Sequence, residues 1–281
     1  LPLRRKAAPI YSVGENEARM QTSGAHQAAV TTDRPNWLLE VYYSLAFYFC
    51  VLVFGLSCLI WSLPAGLLYR LLPRRWGEPL GQFGIMAGFR WSLFVMRATG
   101  VLRADLSALD RLREQDGLVI APNHPTMMDA VLLISRLPRV VCITKATLWD
   151  NWFLGGGIRL ASYIRNDVPL PMIRRAGLAV QGGRHLLIFP EGSRTRTPPV
   201  DTFHRSFAVI ARATRAPVQT VLIEADSPYL SKAWPLLRRP PLPLVFRVRL
   251  GERFDPAGDA DGFVARLESY FRAELPATAR R

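Results

Sequence analysis

Lysine is scarce in this chain: Lys6, Lys145 and Lys232 stand against 33 arginines in 281 residues. The formal charge of +14 is therefore carried almost wholly by guanidinium groups, which stay protonated at any working pH. Most of that charge falls after Arg70, and it suits acidic lipids, an anionic leaflet or an acidic carrier. Genomic composition accounts for the arginine bias equally well. Nucleic acid would also suit the charge. No nucleic-acid-binding module is recognisable, however, and the arginines are spread out, so no such partner is expected. Cysteine is scarce too (Cys50, Cys58 and Cys142), which argues against a disulfide framework. The four histidines, His26, His124, His185 and His204, are scattered without metal-ligand spacing, so no metal site is expected. There is no Gly-x-Ser-x-Gly elbow and no glycine-rich phosphate loop of the nucleotide-binding kinds. The covalent-serine route has no support.

Charge is missing altogether from Val41 to Tyr69. As a helix, Val41–Leu63 would span about 34 Å, against a hydrocarbon core of about 30 Å. Trp37, Tyr42, Tyr43, Trp61 and Tyr69 sit near its ends, where aromatic belts form. Pro64-Ala65-Gly66 is expected to interrupt the helix. Arg70, Arg74 and Arg75 follow the span closely and only Arg34 precedes it within about 20 residues, which puts the rest of the chain on the cytoplasmic side, that of a bacterial inner membrane. The segment Gly81–Val101 is apolar but holds Arg90 and Arg97. It reads as an interfacial helix lying on the bilayer, with a buried core helix as the alternative. The polar lead, residues 1–40, reads as disordered and lacks the features of a signal peptide. Its first methionine is Met20, so either an early start or processing is expected.

Chemistry concentrates in two short blocks. In Asn123-His124-Pro125-Thr126-Met127-Met128-Asp129 an apolar strand, Gly117–Pro122, runs into a helix that Pro138 stops. Positions i and i+5 of one helix point about 140° apart. For His124 and Asp129 to meet, His124 must sit in the turn, with Asp129 reaching back from the first helical turns. Pro125 favours this by pushing His124 towards extended geometry. A histidine held by a carboxylate is a general base with a fixed tautomer. The second block is Phe189-Pro190-Glu191-Gly192-Ser193-Arg194-Thr195, again at a strand end. Gly192 lets backbone approach a ligand. Arg194 offers a two-point grip on phosphate or carboxylate. Glu191 is placed to orient that arginine or to accept from a substrate hydroxyl. Each block alone reads as a polar turn; the pair in this order is specific.

Together the blocks closely resemble those of the glycerophospholipid acyltransferases, the 1-acyl-glycerol-3-phosphate acyltransferase family, over roughly residues 100 to 250. The resemblance implies a membrane-bound enzyme that moves an acyl group from a thioester, acyl-CoA or acyl-ACP, to the hydroxyl of a lysophospholipid, with no acyl-enzyme intermediate and no cofactor. It casts His124 as the base and Asp129 as its orienting partner. Asn123, Lys145, Arg165, Glu191, Gly192, Ser193 and Arg194 become candidate substrate-binding residues. A thioester is already activated, so deprotonating an alcohol and stabilising an oxyanion is all the chemistry asks.

One block departs from the family pattern. In Tyr163-Ile164-Arg165-Asn166-Asp167, Asn166 occupies the place of a family arginine and Arg165 sits one position early. A one-residue slip in a strand reverses the face presented. Lysophosphatidic acid remains the default acceptor. A lyso-aminolipid, a glycolipid, an N-acylated amino acid or another specialised lipid fits the altered block as well. A non-enzymatic basic membrane scaffold would require both blocks to be accidental.

Strands are expected at Arg139–Thr144, Leu186–Phe189, Val218–Glu224 and Leu244–Leu250. Helices are expected at Met172–Gln181, Phe203–Arg215 and Gly262–Glu274. This alternation predicts an α/β fold, a layered mixed sheet flanked by helices with the site at strand ends, behind an N-terminal transmembrane or interfacial helical region. The expected division is a lead over 1–40, a transmembrane plus interfacial helical part over 41–101, and an acyltransferase domain over 102–281.

Overall fold

The structure, a computed structural model, describes residues 36–275. The chain divides into two units, Leu1–Glu40 and Val41–Arg281, and apart from the first residues of one helix the second contains everything described below. The polar lead lies outside the described residues except for Asn36–Glu40.

The uncharged run forms α1 (Trp37–Leu71), among the described residues the one helix long and apolar enough to cross a membrane. Leu45, Leu52 and Ile60 on it are 58 to 70% exposed, an apolar surface that water would not tolerate in quantity. The break expected at Pro64 does not occur; the helix runs on to Leu71. An interior proline costs about 3 kcal/mol through its lost N–H and its clash with the preceding turn. Packing around it opposes that cost. Ala65 is fully buried, and the Gly156 N–H donates to Ser62 Oγ at 3.2 Å. A methyl added at Gly156 would lie 2.0 Å from the Ser62 carbonyl oxygen. Only glycine admits the helix so closely.

The second apolar segment forms α2 (Arg74–Ala98), which begins a full turn or more earlier than its apolar core suggested. One face packs inward through Gln82, Met86 and Leu93, and the other presents Phe83, Trp91 and Phe94, each more than half exposed. Its two internal arginines have protein partners: Arg90 Nε donates to the Ser135 carbonyl at 3.2 Å, and Arg97 donates to the Ala104 carbonyl. The helix is thus core on one side and an exposed aromatic stripe on the other.

Seven strands form one sheet: β1 (Leu102–Asp105), β2 (Val119–Pro122), β3 (Val140–Thr144), β4 (Ile164–Arg165), β5 (His185–Leu187), β6 (Val218–Ala225) and β7 (Leu244–Phe254). Their order is β1-β7-β6-β2-β5-β3-β4. Neighbours are parallel except β6 and β7, which pair antiparallel, so the sheet is mixed as expected. Both faces are covered. Along β2, Ile120 points into one core with Leu132 and Leu133 of α3 (Met128–Ile134), while Val119 and Ala121 point into the other. That second core is closed by α6 (Pro169–Gln181), α7 (Arg205–Thr214) and α8 (Ala260–Glu274) through Ala179, Phe207 and Phe263. A central parallel strand buried on both faces has to read as a continuous apolar run, as β2 does. Two short helices, α4 (Ala146–Trp149) and α5 (Gly155–Leu160), precede β4, and a 3-10 turn spans Ser107–Leu112. These short elements and β1 were not anticipated.

Candidate active site

The site begins where β2 ends. Asn123 is 2% exposed, and its amide spans to β6: Nδ2 donates to the Ile223 carbonyl and Oδ1 accepts the Ile223 N–H, both at 2.8 Å. Both ends of the side chain are thereby used on backbone. These bonds hold two strand ends in register, and Asn123 also lines the cavity beside the turn. His124 follows in the turn, outside α3, and Asp129 reaches back from the first turn of that helix. His124 Nδ1 lies 2.9 Å from Asp129 Oδ2. The same oxygen accepts the Thr126 N–H, and Oδ1 accepts the Thr126 hydroxyl, each at 2.8 Å. A carboxylate surrounded by donors fixes the proton on Nδ1, which leaves the Nε2 lone pair as the free end of the ring. Nε2 has no hydrogen-bond partner among the described residues. The ring stacks on Phe189, centroids 3.8 Å apart and planes 19° from parallel. Asp129 is wholly buried. Burial pushes its carboxyl above the ordinary range, and the donors from His124 and Thr126 oppose that shift.

The second block braces the first. Glu191 is 2% exposed; Oε1 accepts the His124 N–H at 2.8 Å and Oε2 the Asp201 N–H at 2.9 Å. It therefore neither orients Arg194 nor stands open to a hydroxyl, because both oxygens are taken by backbone. Burial pushes its carboxyl up, against those N–H groups. Arg194 instead donates through Nη1 to the carbonyls of Leu230 at 2.9 Å and Ser231 at 2.8 Å. The Thr195 N–H donates to the His124 carbonyl at 2.8 Å, and the Met127 N–H to that of Leu230 at 3.0 Å. Three loops, around residues 123–127, 191–201 and 226–234, are stitched together, with His124 gripped at both its N–H and its C=O. Gly192 adopts φ +63°, and a methyl there would meet the His204 ring at 2.8 Å. Its close approach is to protein, whereas a ligand was expected. Ser193 makes only a long contact, 3.4 Å, to the Arg194 carbonyl.

Arg165 at the end of β4 is held by Asp150 at 2.8 Å and by Asp167. Asn166 Oδ1 accepts the Ala146 N–H at 3.2 Å and caps α4. Lys145, just before that helix, is exposed. Sequence reasoning missed the Phe189 stack, the bracing Asp201, and Arg196 and Lys232. Lys232 carried one signal, its rarity as a residue type; Asp201 carried none. His185 is structural: Nε2 donates to the Leu112 carbonyl at 3.0 Å, Nδ1 accepts the Leu118 N–H at 3.3 Å, and burial holds its pKa below the ordinary value. Among the described residues no group of three His, Cys, Asp or Glu is placed to hold a metal ion. A cavity of about 520 Å³ borders the turn at Asn123, Pro125 and Thr126 without including the His124 ring.

Three comparisons with known proteins bear on this arrangement of sheet and site. Residues 103–224 match the family model Acyltransferase. It is 23% identical over 229 residues to the 1-acyl-sn-glycerol-3-phosphate acyltransferase of Pseudomonas aeruginosa, covering 79% of this chain and 85% of that protein. Its fold matches the crystal structure of the 1-acyl-sn-glycerophosphate (LPA) acyltransferase PlsC from Thermotoga maritima, with a TM-score of 0.61 at 16% identity over 84% of this chain and 94% of that one.

Proposed function

We propose that the chain transfers an acyl group from a thioester, acyl-CoA or acyl-ACP, to the hydroxyl of a lysophospholipid, by default 1-acyl-glycerol-3-phosphate, with His124 as general base. The carrying observation is the 2.9 Å contact between His124 Nδ1 and Asp129, which leaves Nε2 free in an acyltransferase-family domain. Nε2 takes the proton of the acceptor hydroxyl as its oxygen bonds to the thioester carbonyl carbon. The imidazolium so formed is stabilised by Asp129. Collapse of the tetrahedral intermediate breaks the carbon–sulfur bond, and the thiolate recovers the proton from Nε2. Ester, free thiol and neutral histidine result, so no cofactor is called for. The exposed apolar surfaces of α1 and α2 support a membrane setting, as a single pass or a monotopic anchor, with Arg70, Arg74 and Arg75 favouring the cytoplasmic face.

Turnover of labelled acyl donor with lysophosphatidic acid tests this. His124→Ala is expected to abolish transfer while the protein still folds and partitions to membranes; full turnover in that variant would exclude the assignment. A second reading, the same chemistry on an acceptor without glycerol phosphate, is favoured by one observation, the engagement of Arg165 by two acids. A panel of acceptors with purified protein separates the two.

A further inference from the structure

An anionic headgroup near His124 needs cations, and those singled out by motif are largely committed. Arg165 is ion-paired with Asp150 and Asp167, and Arg194 is closed on the carbonyls of Leu230 and Ser231. The neighbours in sequence of the stitched residues are better placed. Arg196 follows Thr195, whose N–H is bonded to His124, and Lys232 follows Ser231, whose carbonyl is bonded to Arg194. Both line the cavity that borders the turn at Asn123, Pro125 and Thr126. Neither makes an ion pair with a carboxylate among the described residues. We propose that Arg196 and Lys232 form the phosphate-binding pair of this cavity and select an acceptor carrying a phosphomonoester.

The proposal rests on the acyl-transfer reading above and names what that reading leaves open, the residues that choose the acceptor. Lys145 and Arg194 add to the same positive region. Desolvation, then Arg196, Lys145 and Arg194, push the Lys232 ammonium below its ordinary range, with Asp201 opposing them. The Asp201 carboxylate is already occupied by the N–H groups of Arg196 and Thr197, at 3.0 and 2.9 Å. Glu224 and Asp226 also line the cavity, but Asp226 accepts the Val245 N–H at 2.9 Å and Glu224 lies 3.9 Å from Arg249. The cations Arg196, Lys232 and Arg247 still outnumber the acids of the lining, an excess that an anion of charge about −1.5 to −2 relieves. The cavity is of ligand size, within the range of about 300–1,000 Å³, and Ile223, Ala225 and Pro199 give it apolar wall for the uncharged part of the molecule. A neutral acceptor would leave the repulsion of Lys232 by Arg196 unrelieved.

The test is steady-state acylation by wild type, Arg196→Ala, Lys232→Ala and Lys232→Arg, varying lysophosphatidic acid, a monoacylglycerol of the same chain and the donor in turn. Each alanine variant is expected to raise the KM for lysophosphatidic acid roughly tenfold, the size of one charge-assisted hydrogen bond. KM for the monoacylglycerol and for the donor should hold, and Lys232→Arg should recover most of the loss. A rise confined to the donor KM would assign the pair to the phosphate of the donor's pantetheine arm and overturn the proposal. So would equal KM values throughout. Glycerol 3-phosphate, titrated by its effect on melting temperature without any donor, reads the site independently of turnover. The shift should appear in wild type and in His124→Ala and vanish in both alanine variants of the pair. An unchanged shift in those two, or none in wild type, sinks the phosphate site. Full turnover by His124→Ala removes His124 as the base, and no acyl transfer by wild type with any acceptor sinks the reading beneath the proposal; neither outcome touches the glycerol 3-phosphate shift.

Discussion

The N–H of His124 donates to the carboxylate of Glu191 at 2.8 Å, a bond between residues 67 apart in sequence. The two blocks are therefore one object. The first carries the ring, and the second holds the backbone from which the ring hangs.

Asp129→Asn keeps the shape of the side chain and removes its charge. It loses the stabilisation of the imidazolium and the guarantee that Nδ1 holds the proton. Turnover should fall by about 10²–10⁴, the usual span of general-base catalysis, with the KM for acceptor little changed. A loss under threefold, measured with labelled donor, would remove Asp129 from the base.

Glu191→Gln should loosen the turn. A glutamine offers one acceptor oxygen and a donor amide, so either the His124 or the Asp201 N–H is left without its bond. The expected cost is about 1–3 kcal/mol, seen as a lower urea midpoint, together with reduced turnover. Unchanged stability would mean that the carboxylate bridge does not hold the loops.

His185 makes stability pH-dependent. Burial keeps it neutral in the fold, so its folded pKa lies below the unfolded value of about 6.5. Its contribution is complete above that value and is lost as pH falls from there through the folded pKa, because the unfolded chain then binds the extra proton. Melting temperature should drop across this window in wild type and drop less in His185→Gln. Parallel curves would rule out this histidine as the source.

Gly156→Ala tests the contact beneath Pro64. Its methyl would fall on the Ser62 carbonyl, and either α1 or α5 must shift. Overpacking of this kind costs about 1–3 kcal/mol. A melting temperature equal to that of wild type in detergent would show that the helices separate without penalty.

The His124 turn was legible because a spacing of five, a proline after the histidine and an apolar strand before it leave few arrangements open. Glu191 was misread for a physical reason. A carboxylate beside glycine and arginine looks like a ligand-facing group, and only the fold reveals the two backbone N–H groups that take it up. Pro64 misled likewise, since helix propensity is local whereas the packing that overrides it comes from Gly156, far along the chain. Elements as short as β4, with two residues, and α4, with four, carry no periodicity to read. Nor does alternation in β7 say that it runs against β6.

Because α1 continues unbroken past Pro64, with Ala65 buried and Gly66 set against Gly156 of α5, the helix is seated directly on the layer beside the sheet. Whatever surface grips that helix then fixes the stance of the sheet and of the turn that carries His124. Such a protein is a fixed gantry: its reach is set by architecture, and under the proposed function lengthening the join by a few residues should change which depth of lipid it can service.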